Sequence, residues 1–358
     1  MNLKRADHQL ASVCTGTGLQ LDVLRYTTPV NLSTEHDKFF SQLKKGQQYN
    51  PRFSYILPRI NIELIRRRLS AIQTDGSALG RVLAAKKVEI LKKVLLVKAI
   101  ATPLLTQRSA DLWSTPDENL IKTAKRYVRI TASEEKPTFS AADVKGIIER
   151  NLKKYRLNWG VRLAQISSTA KISSEQRALL LNPTARFSRQ KIQSLIVHEV
   201  GTHILRAENA RAQPYLIFSG FPDYLCTEEG LAILNEELSR CLNLERIRII
   251  AGRVLAVQHS LKASFFSTFS KLLKLGFNPV ETWNLTLRSK RGLSDTSVPG
   301  ALTKDIIYLK GERLLKDWLR SGGNLNKLYY GKIGTTHVEL LDQVPGLNRQ
   351  ICLPKFEF

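Results

Sequence analysis

The sequence predicts an α+β fold rich in helices, and three observations carry that reading. Apolar residues recur at helical spacing over most of the chain, beginning with Ile62, Leu64, Ile65 and Leu69. Two short runs of strand formers, residues 159–163 and 177–181, stand together near the middle. A long apolar helix over about 189–206 follows them directly, so the strands form a small sheet beside it.

Taken in order, residues 1–50 mix polar and apolar positions with Gly16, Gly18, Pro29 and Gly46, and read as a leader with short elements, either loosely ordered or packed on the core. Residues 51–358 read as a single domain, with a helical part at 51–155 and a second part at 156–358. In the first part, helices are predicted at 61–70, at 84–101 (with Val88, Leu91, Leu95 and Ala99 on one face), at 120–128 and at 141–155. Ser140 is placed to cap the last of these, with Asp143 in its first turn. In the second part, Asn182 and Pro183 end the later strand. Ser188 then caps the long helix, and Phe187 packs on Ile192 as a hydrophobic staple. Further helices are predicted at 228–241, 244–273, 279–290 and 303–320, the last broken by Gly322 and Gly323. There is no internal repeat.

With 358 residues, 43% hydrophobic and 24% charged, the chain is an ordinary globular one. Its charge is not ordinary. Lys and Arg number 55 against 31 Asp and Glu, a formal net of +24. Such a surface attracts nucleic acid, acidic lipid or acidic peptides. The basic residues are scattered in groups such as Arg66, Arg67 and Arg68 or Lys153 and Lys154, which also fits solvated helix faces. No nucleic-acid motif is present, so no nucleic-acid partner is expected. The four cysteines include no C-x-x-C pair and read as reduced thiols of a cytoplasmic protein. The N-terminus does not read as a signal peptide. The apolar run at 94–105 is interrupted by Lys98 and Pro103, so no membrane span is expected. Oligomeric state is not encoded in these features.

The chemistry lies in His198-Glu199-Val200-Gly201-Thr202-His203. It is an HExxxH string, one residue longer than the H-E-x-x-H zinc helix. At about 100° per residue, an i+4 pair is some 40° apart, whereas an i+5 pair is separated by roughly 140°. A regular helix would not let these histidines share a metal. A π-bulge absorbs the extra residue, and Gly201 between the histidines makes that distortion cheaper. A zinc peptidase needs three protein ligands and an open position. The downstream Thr227-Glu228-Glu229-Gly230-Leu231-Ala232 supplies the third, and Glu229 is chosen over Glu228. His198, His203 and Glu229 would then hold one Zn2+, with Glu199 as the catalytic base. The string alone is weak evidence, since two helical histidines are commonly packing residues. The apolar helix, the intervening glycine and the downstream Glu-Glu-Gly strengthen it. His8, His36, His259 and His337 have no such context and read as structural or exposed, and Cys226 reads as a buried thiol.

These two motifs resemble the microtubule-associated tyrosine carboxypeptidases (tubulin detyrosinases) and their bacterial relatives, the QEGLA-motif proteins. The resemblance extends to Asn182-Pro183-Thr184-Ala185-Arg186-Phe187-Ser188. It also takes in Arg288-Ser289-Lys290-Arg291-Gly292-Leu293, Asp295-Thr296-Ser297, Pro299-Gly300, Thr303-Lys304-Asp305 and Tyr308-Leu309. It covers about residues 50–358. It implies a zinc-peptidase-like catalytic domain, ligands at His198, His203 and Glu229, a catalytic glutamate at Glu199, and removal of a C-terminal residue, tyrosine in the tubulin case. Glu228 stands where bacterial members usually have Gln. A carboxypeptidase must also hold a free carboxylate, for which Arg288, Lys290, Arg291 and Lys304 are candidates, with Tyr308 as an oxyanion or substrate donor. Residues 182–186 are a candidate for binding substrate main chain by strand addition. The expected activity is thus a zinc carboxypeptidase acting on protein or peptide tails, acidic ones suiting the basic surface. The alternatives are a zinc endopeptidase or aminopeptidase, or a basic non-catalytic binding protein with a vestigial metal site.

Overall fold

The computed structural model describes residues 2–15, 23–131, 135–166 and 168–355, so Gly16 and Gly18 of the expected leader lie outside the described residues. The chain divides into two units that interleave in sequence. One comprises Met1–Ile130 and Ile247–Leu309, the other Thr131–Arg246 and Lys310–Phe358.

The first unit is built of helices. Those read from apolar spacing are present at Ile62–Ala71, Ala78–Lys98, Glu118–Tyr127 and Pro279–Lys290. The first fifty residues hold helices of their own. Helices Leu3–Thr15 and Leu32–Lys44 form there, and Phe39 sits at the centre of an aromatic core with Phe265, Phe269 and Trp283 at ring-centroid distances of 4.8–5.3 Å. A single helix over 244–273 was the expectation. The structure has two, Leu244–Ser260 and Phe265–Leu273. The apolar period runs through the break, but the Ser264 side chain accepts from Ser267 N, and Phe265 N turns out to Thr296 O at 2.8 Å. A side-chain cap thus offers the main chain a better partner than helix continuation.

In the second unit, five short strands, β1 (Phe139–Ser140), β2 (Gly160–Leu163), β3 (Ala170–Ser173), β4 (Ala178–Leu181) and β5 (Arg186–Phe187), make two small sheets. β4 is central in a three-stranded sheet, parallel to β2 and antiparallel to β3, and β1 pairs with β5. Val161, Leu179 and Ile172 stand in one row of this register and enter the same core. Helix Ala141–Lys154 brings Val144, Ile148 and Leu152 to it, held at its start by the expected capping box of Ser140 and Asp143. Phe187, Ile192, Leu195, Val200 and Ile204 complete the cluster. Each such side chain contributes about 1.5–3 kcal/mol on full burial, and together they clamp one face of the helix that carries the histidines. Strand addition at 182–186 is not what the structure offers. β4 is paired on both sides, Asn182 N donates to Thr169 O, and Arg186 and Phe187 pair with β1. Among the described residues, no helix is long and apolar enough to cross a membrane.

Candidate metal centre

The helix bearing the histidines runs as α over Arg189–Leu195, π over Ile196–Ile204 and α again over Leu205–Arg211. The predicted distortion is therefore present, and it is a full π segment. Ser188 caps the start, accepting from Lys191 N at 3.2 Å. With i→i+5 bonding, residues five apart share a face. The rings of His198 and His203 accordingly meet at 4.8 Å between centroids, almost perpendicular at 84°. Buried side chains steady the widened turn. Thr202 Oγ1 donates to Val197 O at 3.1 Å, and the Tyr329 hydroxyl donates to Gly201 O at 2.9 Å. Asn235 Nδ2 donates to both hydroxyl oxygens, at 2.7 Å to Thr202 and 2.8 Å to Tyr329.

Helix Tyr224–Leu238 supplies the carboxylates. Glu229 Oε2 lies 3.8 Å from His198 Nε2 and 4.0 Å from His203 Nε2. The three ligating atoms fall within 4.8 Å of one another, the one such trio among the described residues. Around a tetrahedral zinc, ligand atoms stand roughly 3.4 Å apart, so modest rotations of three side chains seat an ion. Two imidazoles and a carboxylate with a fourth position left open are a donor set that fits zinc. Each Nδ1 is engaged elsewhere: that of His198 by Glu236 Oε1 at 2.7 Å, that of His203 by Glu228 Oε1 at 2.8 Å. With a carboxylate holding each Nδ1 proton, both Nε2 lone pairs face the trio. Glu236 and Glu229 are seven residues apart and so share a helix face, while Glu228, the immediate neighbour, looks to the second histidine.

These carboxylates are themselves held. Glu228 pairs with fully buried Arg206 and lies 3.6 Å from Lys332 Nζ. Arg206 also donates to Leu328 O, Gly331 O and Ile333 O at 3.1, 3.0 and 2.6 Å. Glu236 accepts from Ser194 Oγ. Close approach of the backbone sets the helix position, since Gly230 packs directly on Gly311, and a side chain on Gly311 would strike Cys226 O.

Burial, then Arg246 and His203, pushes His198 well below its ordinary pKa, which keeps it neutral, the form in which an imidazole can take a metal. His203 is also buried, but Glu228, Glu229 and Glu199 outweigh that and raise it. Burial, reinforced by Glu229, raises Glu199 above the usual carboxylate range. Burial would raise Glu228 too, yet Arg206, Lys332 and His203 hold it far below. Nothing in sequence marked Arg206, Lys332, Asn235, Tyr329 or Arg246 as part of this centre. Glu236 alone carried a readable signal, two helical turns after Glu229.

The other candidates lie in the first unit. Arg288 pairs with Asp305, its Nη2 donating to Oδ1 at 2.9 Å, and Arg291 Nη2 is 3.6 Å from the same oxygen. Lys304 Nζ is 5.8 Å and Arg253 4.6 Å from the centre of the Tyr308 ring. Lys290 points elsewhere. It is fully buried, and its three donors go to Ser260 O, Ala263 O and Val298 O at 3.2, 2.5 and 2.8 Å, with burial pushing its pKa down to about 7. Burial pushes the thiols of Cys226 and Cys241 up to about 11. His8 is exposed, and His36 packs against Phe40 and Trp283.

A family profile described as microtubule-associated tyrosine carboxypeptidase matches residues 37–354. The chain is similar to microtubule-associated tyrosine carboxypeptidase 1 of Mus musculus, 27% identical over 294 residues, 79% of this chain and 54% of that protein. It is 26% identical over 314 residues to the Rattus norvegicus protein of that name, covering 84% and 57%, and 26% over 294 residues to that of Homo sapiens, covering 79% and 54%. The chain thus spans about half the length of these curated relatives.

Proposed function

Because the chain belongs to the microtubule-associated tyrosine carboxypeptidase family, we propose that it is a zinc metallocarboxypeptidase that removes a C-terminal residue from protein or peptide tails. The observation that carries this reading is the convergence of His198, His203 and Glu229, with Glu199 next to a ligand on the same π segment. Bound there, zinc supplies a Lewis acid for the scissile carbonyl and brings the pKa of a water towards about 7.

The chain's own residues do the rest. Glu236 and Glu228 fix the ring orientation of the two histidines. Glu199 accepts the proton of the attacking water and passes it to the leaving amine. Its pKa, raised by burial, favours holding that proton between the two steps. For the substrate's free carboxylate, Arg288, Arg291, Lys304 and Tyr308 stay proposed on their chemistry alone. Lys290, with its donors engaged by carbonyls, is left out. The formal charge of +24 suits an acidic tail.

The test is a pair of matched peptides, one with a free and one with an amidated C-terminus, followed by mass spectrometry. A carboxypeptidase trims only the free one. Equal trimming of both sinks the proposal in favour of an endopeptidase or aminopeptidase. The variant Glu199→Gln should keep its zinc and lose turnover. Wild-type protein that binds no zinc would point instead to a non-catalytic binding protein.

A further inference from the structure

Arg246 stands at the candidate metal centre although neither the motif nor the ligand set requires it. It lies near the start of helix Leu244–Ser260 and places Nη2 3.0 Å from His198 Nδ1 and 3.3 Å from His198 Nε2. No point in the ring plane is that near both nitrogens without striking the carbon between them. The guanidinium therefore lies over the face of the imidazole, and the in-plane lone pair of Nε2 is left clear. Its remaining anchor is weak: Nη1 is 3.4 Å from Glu236 Oε1, an oxygen already engaged by His198 Nδ1. The side chain is 32% exposed. A cation that only balanced Glu236 would form a bidentate fork with it. This one makes a single long contact with that carboxylate, and its side chain stays partly exposed, so its donors are not all spent on Glu236.

Position decides what those donors serve. A zinc–nitrogen bond is about 2.1 Å, so an ion on Nε2 lies no more than about 5.4 Å from Nη2, the sum of that bond and the 3.3 Å contact. The scissile carbonyl oxygen occupies that neighbourhood in a metallopeptidase, whereas the terminal carboxylate is a further residue, about 3.8 Å of chain, away. Glu229 and Glu236 offset two of the three formal positive charges that Zn2+ and Arg246 would bring, so further negative charge is favoured there, and such charge grows on the carbonyl oxygen during attack.

We propose that Arg246 is the oxyanion donor of this site, its guanidinium hydrogen-bonding the scissile carbonyl oxygen as negative charge develops there. The proposal rests on the peptidase reading. Water oxygen bonds to the carbonyl carbon, the carbonyl π pair moves to the oxygen facing Arg246, and the water's proton goes to Glu199. Collapse restores the C=O bond, breaks the C–N bond and returns that proton to the amine. Arg246 neither gains nor loses a proton.

The test uses the full chain loaded with zinc, as wild type, Arg246→Met and Arg246→Lys. A phosphinic peptide, tetrahedral and anionic, serves as transition-state probe, and an uncleavable ketomethylene peptide as ground-state probe. Zinc affinity is measured by chelator competition. In the Met variant kcat falls by about 10²–10³-fold with KM within a few-fold. Phosphinate affinity falls in parallel, while ketomethylene and zinc affinities hold, and Lys recovers part of the loss. Unchanged kcat and phosphinate binding in the Met variant, beside an active wild type, overturns the role of Arg246 alone. Equal loss of both probes together with zinc makes Arg246 structural and also overturns it. A wild type that holds zinc yet trims no free C-terminus overturns the peptidase reading, and this role with it.

Discussion

Replacing Glu228 by Gln isolates one charge at the centre of a buried network. Its carboxylate is 2% exposed and faces Arg206, Lys332 and the Nδ1 of His203. Gln keeps the shape and can still accept from His203, but it removes a negative charge that both cations contact. Breaking a buried pair costs 3–5 kcal/mol. Arg206 retains three carbonyl acceptors, so the lower end applies. A loss of about 3 kcal/mol lowers Tm by roughly 6–12 °C for a unit of this size. The sign with pH follows from the depressed pKa. Glu228 contributes its stability in full above its ordinary value of 4.5 and loses it as pH falls from there towards its folded value. The gap between wild type and variant should therefore be widest near neutrality and close in acid. Thermal melts in chelator, across pH 3–8 (about the usable range), measure this without metal linkage. Zinc competition should separately show a 10–100-fold weaker site, roughly the usual effect of losing such a partner. A metal-free variant melting within about 2 °C of wild type at neutral pH would refute the reasoning.

Four further outcomes are expected. Gly311→Ala drives a methyl into Cys226 O and should cost about 3 kcal/mol by denaturant midpoint. Gly146→Ala, whose nearest neighbour is the flexible end of Arg150 at 3.7 Å, should stabilise by about 0.5–1 kcal/mol; similar effects at both positions would discredit the close-approach argument. Tyr329→Phe strips the donor from Gly201 O and an acceptor from Asn235, so urea unfolding should show a loss of about 1–3 kcal/mol and chelator competition a weaker zinc site. Asp305→Asn leaves Arg288 and Arg291 without their anion, a loss of about 3 kcal/mol. Since Asp305 is held below its usual 3.8 mainly by Arg288 and Arg291 against the effect of burial, that contribution is present above pH 3.8 and fades in stronger acid, so an undiminished gap at low pH would count against it.

What the sequence disclosed, and what it withheld, divides along a physical line. Local chemistry was readable: the caps at Ser140 and Ser188, the helical period of 279–290, and the residue types of the metal trio. Features set by partners distant in sequence were not. β1 and β5 are two residues long and have no period to detect, and the break at Ser264 is made by a cap inside an unbroken apolar pattern. Phe39 looked like leader until its aromatic partners were in place.

The histidine spacing sits on that line. Two histidines five positions apart can face one point only if the regular helix gives way, and such a local inconsistency is where function is expected to override propensity. The sequence therefore indicated that the helix must widen near Gly201. It contained no local sign of what makes the widened turn tolerable. Gly201 O is satisfied by Tyr329, 128 residues later in the chain, and Thr202 by Asn235 on the helix that also brings Glu229. The helix that carries Glu229 thus also braces the distortion that brings the two histidines together. Helix Tyr224–Leu238 cannot shift without loosening both, which would tie the affinity of the proposed metal site to the stability of this helix pair.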